Sequence, residues 1–238
     1  QLAHVKPKND TQSALFKLAL DTRYGNTDEV NSEVLPMVAS YRSFNKAQDK
    51  DKVRQELITN PEALTASGMT WESLSSFGAM DAQAWEAIIP NMGYMALLRN
   101  LRNFDEAGIS DKAANAVIAR LTDPEEVARS RQLPFRFYSA YRNVNSDRWL
   151  HPLGQALDLS IQNIPQLGGS SLILVDTSGS MTGFGYSGKS TITPLAQAAL
   201  FGAALTKSGQ DVTVRVFANY TKDFVFPKGT SVMKATDT

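Results

Sequence analysis

The chain has 238 residues, 42% hydrophobic and 20% charged, a globular mixture that excludes wholesale disorder and leaves room for one large domain or two modest ones. Twenty-four basic side chains balance 24 acidic ones, so the chain is not a globally basic nucleic-acid binder, and any such activity needs a local patch. There are no cysteines, which excludes a disulfide scaffold, a thiolate-held metal and a cysteine nucleophile. That composition agrees with a reducing cytoplasm, where the protein is expected. No apolar run approaches the ~18 residues of a bilayer span, and the start, QLAHVKPKND, has no signal-peptide core. The first residue is not Met and SVMKATDT carries no clear stop signal, so a fragment of a longer protein is expected.

Residues 1 to about 165 read as helix after helix. The spacing predicts helices over 11–21, 31–44 and 81–89, with Trp71 and Trp85 as core residues. The clearest helix covers about 91–104. Met95, Leu98, Leu101 and Phe104 share one face, while Arg99, Asn100, Arg102 and Asn103 fall largely on the other. A helix over 111–121 follows. The next begins at Asp123-Pro124-Glu125-Glu126, where Asp123 caps, Pro124 takes the first helical position and Glu126 completes a capping box. Two more are predicted over 135–143 and 153–161. Helices of this length joined by short loops read as stacked antiparallel pairs, an α-helical solenoid of HEAT-like character. Gln166-Leu167-Gly168-Gly169-Ser170-Ser171 then marks a domain boundary, giving domains 1–167 and 168–238.

The second part has a different grammar. The run over 172–175 is apolar throughout and predicts a strand buried on both faces, central between parallel neighbours. Thr193 caps and Pro194 starts a helix over 195–207 that Gly209 ends. Val212, Val214 and Val216, alternating with Thr213 and Arg215, predict a second strand. Phe224-Val225-Phe226 belongs to a third, after a turn near Asn219-Tyr220. In such strand–helix–strand units ligands sit at the carboxyl ends of strands, where Asp176 lies.

Asp176-Thr177-Ser178-Gly179-Ser180 fits the pattern D-x-S-x-S. One carboxylate and two hydroxyls on a tight loop offer hard oxygens suited to Mg²⁺, or to Mn²⁺, and Gly179 lets the loop fold back. The competing reading is a polar turn whose Asp and Ser only satisfy backbone donors. Gly183 to Ser190 also matches the phosphate-binding pattern G-x-x-x-x-G-K-S. There the strand should run almost straight into the first glycine and the helix should start at the lysine. Here the strand ends well before Gly183, and a helix begun at Lys189 would carry Pro194 past its first turn. A Gly/Ser loop is the preferred reading.

Arg129, Arg131, Arg136, Arg142 and Arg148 face a single acid, Asp147, in their stretch. Phe135, Phe137, Tyr138, Tyr141 and Trp149 are interleaved with them. Arginine forks bind phosphate and exposed rings stack on bases, but helical spacing puts most of these rings in the core and leaves the arginines as a solvated face. His4 and His151 are too far apart in sequence to suggest a histidine metal centre or catalytic dyad.

LILVDTSGSM resembles the first strand and metal-ion-dependent adhesion site of a von Willebrand factor A domain. HVKP from His4, MALLRNL from Met95 and LPFR from Leu133 are similar to segments of the TROVE module of the Ro ribonucleoprotein family, in the family's order. The resemblance implies a ring of HEAT-like helical repeats closed by an α/β, Rossmann-like A domain. This chain would hold the later part of the ring and an incomplete A domain, whose further metal-binding Thr and Asp cannot be assigned before Thr238. It implies Y RNA bound outside the ring, and single-stranded ends of misfolded noncoding RNA bound in its hole. It also implies an exoribonuclease partner, as for bacterial relatives. On this basis His4, Lys6, Arg99, Arg131, Arg136 and Arg142 are the expected RNA contacts, and Asp176, Ser178 and Ser180 the metal ligands. The expected protein is an RNA-binding ribonucleoprotein component and not an enzyme. The rivals are a metal-dependent protein-interaction module without RNA, and a P-loop nucleotide binder.

Overall fold

The computed structural model describes residues 5–25, 29–183, 192–209, 211–226 and 230–236, which form two compact units, 1–92 and 93–238. The loop carrying Lys189, with most of the G-x-x-x-x-G-K-S pattern, and His4 lie outside the described residues.

In the first unit, α1 (Asp10–Tyr24), α2 (Pro36–Lys46), α3 (Lys50–Thr59), α4 (Pro61–Ser67), α5 (Trp71–Ser75) and α6 (Ala82–Ile88) follow one another. Most starts are set by a side-chain cap. Asn9, Asp49, Asn60, Thr70 and Asp81 each accept from the backbone N–H three residues on. The predicted helix over 31–44 starts late, because Asn31 turns the chain by accepting from the amides of Glu33 and Val34, and Pro36 then takes the first helical position. Helix α4 ends at Gly68, in the left-handed region at φ 60°, where a Cβ would run into the Met37 side chain. Leu57, Leu64, Leu74, Trp85 and Ile88 are buried, and the Trp71 and Trp85 ring centres lie 5.6 Å apart. Arg54 crosses from α3 to bond Ala79 O at 2.9 Å and Asp81 at 2.7 Å. The Asp81 carboxyl is held below the usual range, foremost by the Ala84 amide it caps and then, against its desolvation, by Arg54.

The second unit begins with α7 (Tyr94–Ala107), α8 (Asp111–Leu121), α9 (Pro124–Ser130), α10 (Pro134–Tyr141) and α11 (Leu150–Leu159). Leu98, Leu101 and Phe104 of α7 are buried, as their spacing predicts, while Met95 on the same predicted face is only half-buried and Leu97 beside it is buried. Asn100, predicted for the polar back, is instead 2% exposed. It is satisfied within its own helix, donating to Ala96 O at 2.8 Å and accepting from Asn103 at 2.7 Å. Asp123 caps α9 at 2.8 Å, but the Glu126 carboxylate does not close the box; it accepts from Nε and Nη2 of Arg120. Tyr94 donates to Leu121 O at 2.8 Å, and burial, reinforced by the charges of Glu126 and Asp123, pushes its phenol well above the ordinary tyrosine range.

After residue 170 come β1 (Ser171–Asp176), α12 (Pro194–Lys207), β2 (Val212–Phe217), β3 (Thr221–Phe224) and α13 (Val232–Thr236). β1 pairs parallel with β2, Asp176 opposite Phe217, and β2 pairs antiparallel with β3. Thr193 caps α12 and Pro194 opens it, as read from the sequence. The predicted position of β1 is corrected. Among the described strands it lies at an edge of the order β1-β2-β3, not between parallel neighbours. Its apolar run is not buried on both faces either: Val175 is 4% exposed but Leu172 and Leu174 are both 57% exposed. The third strand is also corrected: it runs from Thr221 to Phe224, so it starts earlier than predicted and leaves Val225 and Phe226 outside, because the chain turns tightly with Ala218 N donating to Tyr220 O at 2.9 Å. Helix α12 packs on β1 and β2, and α13 packs on α11 and α12. The amide of Val232, at the start of α13, donates to Asp158 of α11 at 3.0 Å. No described helix is long and apolar enough to cross a membrane.

Candidate functional site

Two places in the second unit collect the residues singled out by sequence. The first is the loop after β1. β-sheet pairing holds its start: Thr177 donates both its amide and its hydroxyl to Phe217 O, at 2.8 and 3.0 Å. Asp176 Oδ1 accepts from the amide of Ser178 at 2.8 Å. A tight turn then brings Ser180 back, so that Ser178 Oγ and Ser180 Oγ lie 3.1 Å apart. Octahedral Mg²⁺ at 2.0–2.1 Å from its ligands requires neighbouring oxygens about 2.9 Å apart. The hydroxyl pair fits that edge, and it fits a simple hydrogen bond equally well. The carboxylate at the head of the loop supplies the charge a divalent cation needs. Among the described residues no group of three His, Asp or Glu side chains is gathered to hold a metal; Asp176, Ser178 and Ser180 bring one carboxylate and two hydroxyls to this loop.

The second place is a groove of about 440 Å³ between α7 and α10. Met95, Leu98, Leu101 and Val144 contribute carbon to its lining, and Arg99, Arg102 and Arg136 contribute guanidinium groups. Two of the predicted RNA contacts, Arg99 and Arg136, thus meet although they come from different helices. Both are exposed. Arg102 was not singled out by sequence; it joins them, with its Nε bonded to Glu106 at 2.7 Å. Its signal was the polar face it shares with Arg99. Arg131 and Arg142 are exposed at the ends of α9 and α10 and do not line the groove. Lys6 is exposed ahead of α1 in the first unit. Arg148 has another task, since Asp105 accepts from its Nε and Nη2 at 3.0 and 2.7 Å. Of the interleaved rings, Phe137, Tyr138 and Trp149 are buried, so most are core as expected, but Phe135 and Tyr141, spaced three residues either side of Tyr138, are only half-buried.

Residues 61–152 match the TROVE domain family, a segment that contains the whole groove. The chain is 27% identical to the RNA-binding protein RO60 of Deinococcus radiodurans over 236 residues, 91% of this chain and 42% of that protein. It is 40% identical to telomerase protein component 1 of Mus musculus over 78 residues, 32% of this chain and 3% of that protein. The crystal structure of the Deinococcus radiodurans Ro protein has the same fold, with a TM-score of 0.76 at 22% identity over 99% of this chain and 49% of that one. The chain therefore spans less than half the length of each of these proteins. The resemblance carried by the MALLRNL and LPFR segments is shown by these matches.

Proposed function

We propose, for a chain that carries a TROVE match and has the fold of a Ro protein, that it binds noncoding RNA as a ribonucleoprotein component. The observation that carries this reading is the α7–α10 groove inside the TROVE segment, which Arg99, Arg102 and Arg136 all line. Planar guanidinium forks hold phosphates in two-pronged bonds and tolerate partial burial. Met95 and Val144, both partly exposed, add carbon against which ribose and base surfaces can lie. Both actions are binding and not catalysis, so the reading is of a binder. The RNA class is Y RNA-like RNA and misfolded RNA ends, with an exoribonuclease as protein partner, in the cytoplasm.

In this reading residues 1–167 are a TROVE-like module of HEAT-like helical repeats, and 168–238 are the first part of a von Willebrand factor A domain. Likeness to the RO60 protein supports this over most of the chain. Asp176, Ser178 and Ser180 would hold Mg²⁺ at the head of β1, where the ion supplies a positive Lewis-acidic centre. These residues provide one charge and two neutral oxygens, leaving about three of six positions for water or a partner carboxylate. The hydroxyl pair at 3.1 Å is also compatible with a second reading, a cation-dependent protein-interaction module in which RNA plays no part.

The deciding experiment measures affinity for an RNA hairpin with a single-stranded tail, across a salt series, with and without EDTA. RNA binding that survives EDTA and weakens steeply with salt supports the first reading. No RNA binding at low salt overturns it.

A further inference from the structure

We propose, resting on the reading of the α7–α10 groove as an RNA site, that Asn143 makes the groove selective for ribose over deoxyribose by accepting a hydrogen bond from an RNA 2′-hydroxyl, with Ser139 in support. The guanidinium groups cannot make that distinction. Arg99, Arg102 and Arg136 only donate, and the phosphates they would hold are the same in RNA and DNA. Among the described residues, the groove is lined by two uncharged polar side chains, Ser139 and Asn143, beside the three arginines and carbon.

Asn143 is held in place just past the end of α10. Its backbone N–H donates to Ala140 O at 2.9 Å, and that of Val144 donates to the same oxygen at 3.1 Å. Its side-chain Nδ2 donates to Ser139 O at 2.7 Å. That last bond sets the carboxamide's orientation, because a carbonyl oxygen only accepts. Oδ1 is left as an acceptor with no partner among the described residues, on a side chain that is exposed. Ser139 is half-buried, and its hydroxyl likewise has no partner among the described residues. An acceptor oriented before the ligand arrives loses little freedom on binding. The sugar is bonded directly to the phosphate, and the groove's volume of about 440 Å³ is that of a site for one small ligand. A nucleotide whose phosphate meets the arginines therefore lays its ribose against the same lining. The 2′-hydroxyl is the group by which a protein tells RNA from DNA. A base edge is a poorer match for Asn143. Reading one takes a donor beside the acceptor, and one of the two amide hydrogens is already given to Ser139 O.

Fluorescence polarisation with the whole chain tests the proposal on one RNA hairpin carrying a single-stranded tail of fixed sequence in three forms: ribose, 2′-deoxyribose and 2′-fluoro. The wild type should bind the ribose tail about three- to tenfold more tightly than the other two, the span of one neutral hydrogen bond. The 2′-fluoro tail keeps a ribose-like pucker but has no O–H to donate, so it should bind as the deoxyribose tail does. Asn143→Ala should lower affinity for the ribose tail by the same factor and leave the other two unchanged. Arg99→Ala should weaken all three alike. Ser139→Ala should reduce the ribose preference by less, and it serves as the second variant should Asn143→Ala lose its helical circular dichroism. Equal binding of the three tails by the wild type, a 2′-fluoro tail that binds like ribose, or a ribose preference that survives in Asn143→Ala would overturn the proposal and leave the RNA reading standing. So would a loss in Asn143→Ala that follows the tail's base sequence and not its sugar, which would assign Asn143 to a base edge. No binding of any of the three at low salt would overturn both.

Discussion

Arg148 and Asp105 meet on a single oxygen. Both Nε and Nη2 of the guanidinium donate to Asp105 Oδ1, at 3.0 and 2.7 Å, and the neighbouring Trp149 Nε1 adds a third bond at 2.9 Å. The pair ties the end of α7 to the start of α11, with side chains 27% and 12% exposed. The other carboxylate oxygen, Oδ2, is buried with no hydrogen-bond partner among the described residues, so the pair is not fully satisfied.

Asp105→Ala should therefore lower stability by about 2–3 kcal/mol, because it strands a partly buried guanidinium and an indole N–H. Trp149→Phe, which removes one hydrogen bond and some area, should cost less. Urea unfolding would read both. RNA affinity of the folded Asp105→Ala protein should stay within about twofold of the wild type, since Arg148 acts in the fold and not in the groove. A large drop in RNA affinity with unchanged stability would contradict that division of labour.

The buried Tyr94 phenol gives a pH dependence of definite sign. Its folded pKa lies above the unfolded value of about 10, so the neutral phenol is favoured by the fold. The contribution is fully present below about pH 10 and is lost as pH rises from there through the folded value. Tyr94→Phe should cost about 1 kcal/mol at neutral pH, because the bond to Leu121 O is gone. It should also flatten the fall in stability above pH 10. An alkaline urea series on both proteins checks this; parallel curves would show that Tyr94 is not the group responsible.

In the groove, Arg99→Ala and Arg136→Ala should each weaken RNA binding. Each should reduce the slope of log affinity against log salt by about one, the counterion released when one guanidinium neutralises one phosphate. Arg136→Lys should keep most of the slope and lower the affinity, because an ammonium keeps the charge but not the planar fork. Lys6→Ala tests the candidate in the first unit, and Arg131→Ala and Arg142→Ala the two outside the groove. Unchanged slopes in both groove variants would remove the groove from the binding surface.

Local signals were legible in the sequence and pairings between distant segments were not. Asp123-Pro124 and Thr193-Pro194 announce α9 and α12 within a few residues, and the structure places caps there. The same chemistry at Asp49 and Asn60-Pro61 starts α3 and α4, but α4 and α5 span only 7 and 5 residues, too few for a hydrophobic period to show. Periodicity misassigned Asn100 because its polarity is absorbed by bonds inside its own helix. The run 172–175 revealed a strand but not its place at the sheet edge, which depends on strand order. The meeting of Arg99 with Arg136, and of Arg148 with Asp105, likewise depends on which helices pack together. A basic cluster read along the chain therefore mixed one groove arginine, Arg136, with a structural one, Arg148.

The loop after β1 offers the sharpest test, because its two readings predict different outcomes from one pair of substitutions. If Asp176 serves only the turn, its work is the bond accepted from the Ser178 amide. Asp176→Asn keeps an acceptor oxygen there and should leave both the turn and any weak surface cation binding nearly unchanged. If Asp176 is a metal ligand, its charge is what matters, since Ser178 and Ser180 contribute only neutral hydroxyls. Asp176→Asn should then abolish Mg²⁺ binding as completely as Asp176→Ala does. Ser178→Ala, which removes one neutral oxygen, should weaken binding without abolishing it. Asp176→Ala also deletes the turn bond, at about 1 kcal/mol, while Asp176→Asn does not. Thermal unfolding thus separates the structural cost from the loss of metal. RNA binding should survive all three changes, because the groove arginines come from α7 and α10 and not from this loop. Calorimetric titration with Mg²⁺ decides the matter: equal affinity in the wild type and in Asp176→Asn would reduce D-x-S-x-S to a polar turn.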